Sequence, residues 1–267
     1  MENKNFRKRY FFFDIDGTLT DDATHRIVPS AKAALHQLEK NGHFVSIATG
    51  RAHYKTVSFT NQIGIHNIVC AGGGCLEYQH QIIKNEPLPF EKVQELLKYA
   101  DKENIGWLLM LDDSDKVYMR DYRFLEQAGL RKELTTYIYD PSLDYTKEKN
   151  ILKVYLAFDD AYEQENPWVD VVGHLRMTKT YCVFQHDKKK DGILDMLKYL
   201  HADSSDVVVF GDGKNDIVMF DKRWTSIAMG NAYPPLKELA DYVTDLNVND
   251  GIYKACVHFG WITEDKR

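Results

Sequence analysis

The chain has 267 residues, 44% hydrophobic and 28% charged, with 34 Lys and Arg against 40 Asp and Glu, a net charge of −6. That length suits one large core plus a smaller one, with no call on disulfides or a structural metal to fold. The acidic balance argues against a broad nucleic-acid footprint but leaves room for an anionic small ligand held by a few local cations.

The basic N-terminus runs into Tyr10–Phe13, an apolar stretch far shorter than a signal-peptide core, and no window approaches the roughly 20 apolar residues that span a bilayer. Neither export nor a membrane partner is expected. The four cysteines, Cys70, Cys75, Cys182 and Cys256, lack metal-ligand spacing and read as reduced thiols of a cytoplasmic protein.

Tyr10 to Asp14 is an aromatic-rich run ending near a glycine, the pattern of a strand buried on both faces. Ser30 is the expected N-cap of a helix whose apolar stripe is Ala31, Ala34, Leu35 and Leu38, and Asn41-Gly42 is its stop. Phe44 to Ala48 is the next buried strand, a second helix runs towards Gly64, and Ile68 to Ala71 is a third strand. This alternation predicts a parallel sheet with crossover helices. The last third repeats it, with a helix from about Gly192 to His201 and a strand at Val207 to Phe210. Between the halves the sequence turns aromatic and charged. Strand patterns at Trp107 to Leu111, Lys116 to Met119 and Leu152 to Phe158 mix with helical ones at Phe90 to Glu103 and Tyr122 to Leu134. An inserted α+β domain from about Leu88 to Thr180 is therefore expected.

FFFDIDGTLT places Asp14 and Asp16 at the C-terminal end of the first strand, the edge at which open parallel sheets bind ligands. Two carboxylates this close repel unless a cation neutralises them, and a hard divalent ion such as magnesium is the usual companion of phosphates. Thr49-Gly50-Arg51 follows the second strand and offers a hydroxyl and backbone N–H groups to a phosphate oxygen. The run Lys188-Lys189-Lys190 precedes the helix near Gly192. GDGKND, after the fourth strand, supplies Asp212, Asn215 and Asp216.

DIDGTL, ATGR, the lysine before Gly192 and GDGKND, followed by AMGNAYPPLKELADYVT and NDGIYKA, resemble the haloacid dehalogenase-like hydrolase superfamily and its Cof-type phosphatases. The resemblance implies an α/β fold: a Rossmann-like parallel-sheet core made of residues 1–87 and 181–267, with an inserted α+β cap domain at 88–180 that closes over it. It also implies hydrolysis of small phosphate esters, sugar phosphates or similar metabolites, through an aspartyl-phosphate intermediate. Asp14 would be the nucleophile and Asp16 the general acid/base. Thr49, Gly50 and Asn215 would hold the phosphoryl group, and Lys189, with Lys190 as the alternative, would neutralise it. Asp14, the backbone carbonyl of Asp16, and Asp212 would ligate Mg2+, with Asp216 at or near the shell. Arg51 is a candidate for a substrate or cap carboxylate. A phosphomutase or phosphotransferase on the same core, or a phosphoaspartate signalling domain, are the competing readings.

Overall fold

The computed structural model describes residues 6–166, 168 and 171–264. The chain opens with strand β1 (Tyr10–Phe13), helix α1 (Pro29–Lys40), β2 (Phe44–Ala48), α2 (His53–Ile63), β3 (Asn67–Cys70) and a hairpin of β4 (Cys75–Tyr78) and β5 (Gln81–Asn85). It continues through α3 (Phe90–Lys102), β6 (Trp107–Met110), β7 (Lys116–Met119), α4 (Arg123–Ala128), β8 (Thr136–Tyr139), β9 (Lys153–Leu156), α5 (Asp160–Glu165), β10 (His174–Arg176) and β11 (Cys182–Phe184). It closes with α6 (Lys189–Leu200), β12 (Val207–Gly211), β13 (Thr225–Ala228), α7 (Pro234–Leu239), β14 (Tyr242–Val243) and α8 (Gly251–His258). These elements form two compact units, one of residues 1–51, 56–84 and 188–267, the other of 52–55 and 85–187.

The first unit is built on an eight-stranded sheet in the order β14-β13-β12-β1-β2-β3-β4-β5. From β14 to β3 the strands are parallel, and β4 returns antiparallel against β3. The β4–β5 hairpin was not legible as such in the sequence, because its short strands are only partly apolar. The triple phenylalanine explains why β1 is central. Phe11 and Phe13 enter one core layer with Val208 and Phe210, while Phe12 enters the opposite layer with Val207 and Val209. Side chains alternate across a strand, so a strand buried on both faces must be apolar at every position. α1 and α8 cover the first layer through Ala31, Ala34, Leu35, Leu38, Ile252, Ala255 and Cys256. α6 covers the second through Ile193, Met196 and Leu197.

Two helix starts differ from the sequence reading. Ser30 is not the N-cap of α1: Val28 stands there without a side-chain cap, and Pro29 opens the helix. Proline fits that first position because its fixed φ suits the helix and its missing N–H would have no partner there. α6 begins at Lys189 rather than near Gly192, which puts the lysine in its first turn. The cause is a tight seam. Lys188 donates its backbone N–H to the Gly72 carbonyl at 2.8 Å. A Cβ on Gly73, whose φ is +97°, would meet the Lys188 carbonyl oxygen at 2.2 Å, and one on Gly192 would meet the Gly73 Cα at 2.8 Å. The glycine run after β3 is thus what lets α6 approach the sheet edge.

The second unit has a six-stranded sheet in the order β10-β11-β9-β6-β7-β8, antiparallel except for the β7–β8 pair. α3 lays Val93, Leu96, Leu97 and Ala100 on one face of it, against Trp107, Leu109, Val154 and Leu156. Leu108, Met110 and Tyr155 face the other way, towards Phe124. Of the aromatic residues here, Trp107 and Tyr155 are core, while Tyr122 and Tyr139 stack on each other near the surface with ring centroids 4.9 Å apart. Asp101 at the end of α3 ties the unit together, accepting from Trp107 Nε1 at 3.0 Å and from Arg120 and Arg123, each at 2.9 Å. Burial pushes this carboxyl upward, but the hydrogen bonds from Arg123, Trp107 and Arg120 outweigh it and hold its pKa below the usual range.

Two outcomes follow for stability. Gly192→Ala overpacks the seam and is expected to cost about 1–3 kcal/mol, read as a lower urea midpoint with unchanged slope. Asp101 has a depressed folded-state pKa, so its contribution is present above the unfolded value of about 3.9 and fades as pH falls through the folded one. Thermal unfolding of Asp101→Asn should therefore differ most from the parent at neutral pH, with the gap closing in strong acid.

Candidate active site

The first unit's chain crosses from β1 to β2 on one side and returns later to β12 on the other, so β1 and β12 flank the point where the sheet order reverses. Ligand sites in open α/β sheets form beyond the carboxyl ends of such strands, where two successive loops diverge. Asp14 leaves β1 there, its backbone N–H donating to the Phe210 carbonyl on β12 at 3.0 Å. Asp212 leaves β12 at the same edge.

Lys189 joins these strand ends. Its Nζ donates to Asp14 Oδ1 at 2.7 Å and to Asp216 Oδ1 at 2.6 Å, and all three side chains are buried, at 2%, 6% and 0% exposed. Both oxygens of Asp216 are engaged: the second accepts the backbone N–H groups of Asp212 and Gly213, both at 2.9 Å. It therefore braces the loop that carries Asp212. Asp212 in turn accepts from Thr18 Oγ1 at 2.7 Å. The second oxygens of Asp14 and Asp212 have no hydrogen-bond partner among the described residues. A Cβ on Gly17, with φ +79°, would lie 2.2 Å from Asp212 Oδ2, so only glycine lets the β1 loop and this carboxylate sit together.

The electrostatics of the group are unbalanced. Burial first, and then the charge of Asp216, push the Asp14 carboxyl well above its usual range despite the opposing pull of Lys189. Asp212 is pushed up to about 7, by burial foremost, with Asp216 adding to it and the Thr18 hydrogen bond opposing. For Lys189, burial disfavours the ammonium, but Asp14 and Asp216 outweigh it and raise its pKa. All three shifts express one condition, a surplus of negative charge in a dry place. Asp14, Asp212 and Asp216 each offer an oxygen within 4.8 Å of the others. Hard oxygen donors with one lysine against three carboxylates suit a divalent cation, which would supply the missing positive charge.

The other sequence-derived residues divide. Lys190 turns away, 40% exposed, towards Asp221 at 3.5 Å. The carboxylate of Asp16 is not part of the buried cluster: its side chain is 57% exposed and is held by Arg51. Thr49 is buried and its Oγ1 accepts the Arg51 N–H at 3.2 Å across the Gly50 bend. Asn215 folds back over Gly213, where a Cβ would meet its Oδ1 at 2.4 Å. Neither Thr49 nor Asn215 is hydrogen-bonded to Asp14 or Lys189 among the described contacts. The sequence reading had given no role to Asn231, whose Nδ2 donates to the Gly17 carbonyl at 2.8 Å and whose Oδ1 accepts from the backbone N–H of Asn247 at 3.1 Å. Asn247 Nδ2 donates to the Thr20 carbonyl at 2.7 Å. Two asparagines from the C-terminal third thus pin the β1 loop. The sequence signal for Asn231 was the AMGNAYPP run, and Asn247 lies just before NDGIYKA.

Among the described residues, no helix is long and apolar enough to cross a membrane. The model of the haloacid dehalogenase-like hydrolases matches residues 11–256. The Bacillus subtilis protein YkrA, which bears a provisional phosphatase name, is 34% identical over 256 residues, covering 94% of this chain and 98% of its own. The crystal structure of a hypothetical protein from Geobacillus kaustophilus HTA426 superposes with a TM-score of 0.80 at 29% identity, covering 96% of this chain and all (100%) of its own. That of the sugar phosphatase BT4131, of haloacid dehalogenase subclass IIB, superposes with a TM-score of 0.75 at 25% identity, covering 96% and 100%. A buried Asp–Lys–Asp bridge at the switch point of a parallel sheet, carried on a chain matched over nearly its whole length, makes this protein a member of the haloacid dehalogenase-like hydrolase family and, within it, a phosphatase.

Proposed function

We propose that this phosphatase hydrolyses small phosphate monoesters, sugar phosphates foremost, in a Mg2+-dependent reaction through a phosphoryl group carried on Asp14. The observation that carries the reading is the Lys189 ammonium fixed 2.7 Å from Asp14 Oδ1. It leaves the other oxygen of Asp14 to attack and holds a positive charge where phosphoryl oxygens would gather. The sugar-phosphatase name of BT4131 supports the substrate class.

In the first transfer Asp14 attacks phosphorus, the P–O bond to the ester oxygen breaks, and Asp16 gives its proton to that oxygen. In the second, water attacks the phosphorus, the bond to Asp14 breaks, and Asp16 takes the water's proton, leaving inorganic phosphate and the enzyme as it began. Splitting hydrolysis in two lets one set of groups serve both steps. Positioned acid/base assistance typically contributes about 10²–10⁴-fold. Asp14, Asp212 and the backbone carbonyl of Asp16 would hold Mg2+, which when bound supplies charge neutralisation for the phosphoryl oxygens. Asp216 holds Lys189 and the Asp212 loop in place. Thr49, Gly50 and Asn215 would complete the phosphate cradle once a ligand draws them in. Cys70, Cys75, Cys182 and Cys256 are all buried thiols, which supports a reducing, cytoplasmic setting.

Phosphate release from a panel of sugar phosphates, nucleotides and pyridoxal phosphate, with Mg2+ or with chelator, tests this directly. Asp14→Asn should abolish turnover while its circular dichroism stays that of the parent; turnover near the parental rate would remove Asp14 as nucleophile. Chelation should lower release by about a hundredfold or more, since several kcal/mol of transition-state charge stabilisation is lost. Undiminished release in chelator would rule out the cation.

A further inference from the structure

Arg51 stands on the turn after β2 with its backbone fixed on both sides. Its N–H donates to Thr49 Oγ1 at 3.2 Å and its carbonyl accepts from Ala71 N–H at 2.8 Å. From there the side chain passes the Phe59 ring, 5.6 Å from its centroid, and reaches the loop after β1. Its Nε donates to Asp16 Oδ2 at 2.9 Å and its Nη2 to Asp16 Oδ1 at 2.5 Å. This is a two-point fork, which fixes the plane of a carboxylate as well as its distance.

The pair is ill suited to a purely structural role. Asp16 is 57% and Arg51 28% exposed, and ion pairs this open contribute little to stability. Asp16 also lies beyond the end of β1, just before Gly17 with its φ of +79°, and only an isolated backbone bridge to Thr20 joins it to a neighbouring segment. Among the described hydrogen bonds, those from Arg51 alone hold the Asp16 carboxylate. Its neighbour Asp14, by contrast, is locked by Lys189.

We propose that Arg51 is a positioning residue that acts through Asp16, fixing the direction of its carboxylate, and is not itself a substrate ligand. This rests on the reading above, in which Asp16 exchanges protons with the ester oxygen and the attacking water. Proton transfer requires hydrogen-bond reach in the reacting geometry, and misplacement by about 1 Å can cost about a hundredfold. Arg51 ties that geometry to the rigid end of β2 and to the Ala71 turn. Lysine at position 51 would offer a point charge in place of the fork.

The test is a double-mutant cycle read in kcat and KM, with a hexose 6-phosphate and Mg2+. The variants are Arg51→Gln, Arg51→Lys, Asp16→Asn and the Arg51→Gln/Asp16→Asn double, each checked by thermal unfolding. Arg51→Gln should lower kcat by about ten- to a hundredfold with KM within about threefold. Arg51→Lys should recover part of that loss, and the double variant should be no slower than Asp16→Asn alone. Losses that multiply in the double variant, or that fall on KM, would overturn the proposal and make Arg51 a substrate ligand. A slow Asp16→Asn beside a normal Arg51→Gln would overturn the positioning role alone. A normal Asp16→Asn would overturn the acid/base reading beneath it.

Discussion

The geometry of the candidate active site depends on one buried cation. Lys189 is almost wholly removed from water and is held by two carboxylates from two different strand ends, Asp14 after β1 and Asp216 in the turn after β12. Desolvating three charges is costly, and only close pairing makes it tolerable. The arrangement therefore constrains everything around it. β1 and β12 must be neighbours in register, α6 must start at the lysine, and the glycine run after β3 must leave room for that start. Each of these is met by an identifiable residue: the phenylalanine run for the strand pairing, Gly73 and Gly192 for the seam.

The same bridge leaves the site short of positive charge. Lys189 cancels one of three carboxylates, and burial first, with the charge of Asp216 adding to it, pushes the Asp14 and Asp212 carboxyls upward. In the proposed reaction a divalent cation would supply the missing positive charge that an anionic substrate needs there. Asp216 shows how tightly the roles are divided. Its oxygens brace the lysine and the Asp212 loop, and it still stands within the carboxylate cluster that could hold a cation.

Asp14 and Asp16, two residues apart, end in opposite environments. One is buried against a lysine; the other is exposed against an arginine. The residue between and the glycine after them account for this. Ile15 is a core residue that anchors the loop, and Gly17 turns the chain immediately beyond Asp16. In the proposed mechanism two carboxylates so separated take different parts, the buried one as nucleophile and the exposed one as acid/base.

Much of this was legible in the chain itself. Continuous apolar runs identified β1, β2 and β12 as strands buried on both faces, since no other element needs apolar residues at every position. The 3.6-residue stripe identified α1. The short carboxylate motifs after those strands pointed to the candidate site, because chain order and strand ends suffice to bring Asp14 and Asp212 to one edge. The sequence could not decide which of three consecutive lysines is buried, that α6 starts three residues early, or that Arg51 turns to Asp16. Nor could it assign Asn231 and Asn247 to the β1 loop, more than two hundred residues away in sequence. Those outcomes depend on which side of a helix or turn faces a neighbour distant in the chain. Local patterning records what an element needs, apolar or polar, but the partner of a single long polar side chain is fixed only when packing brings the elements together.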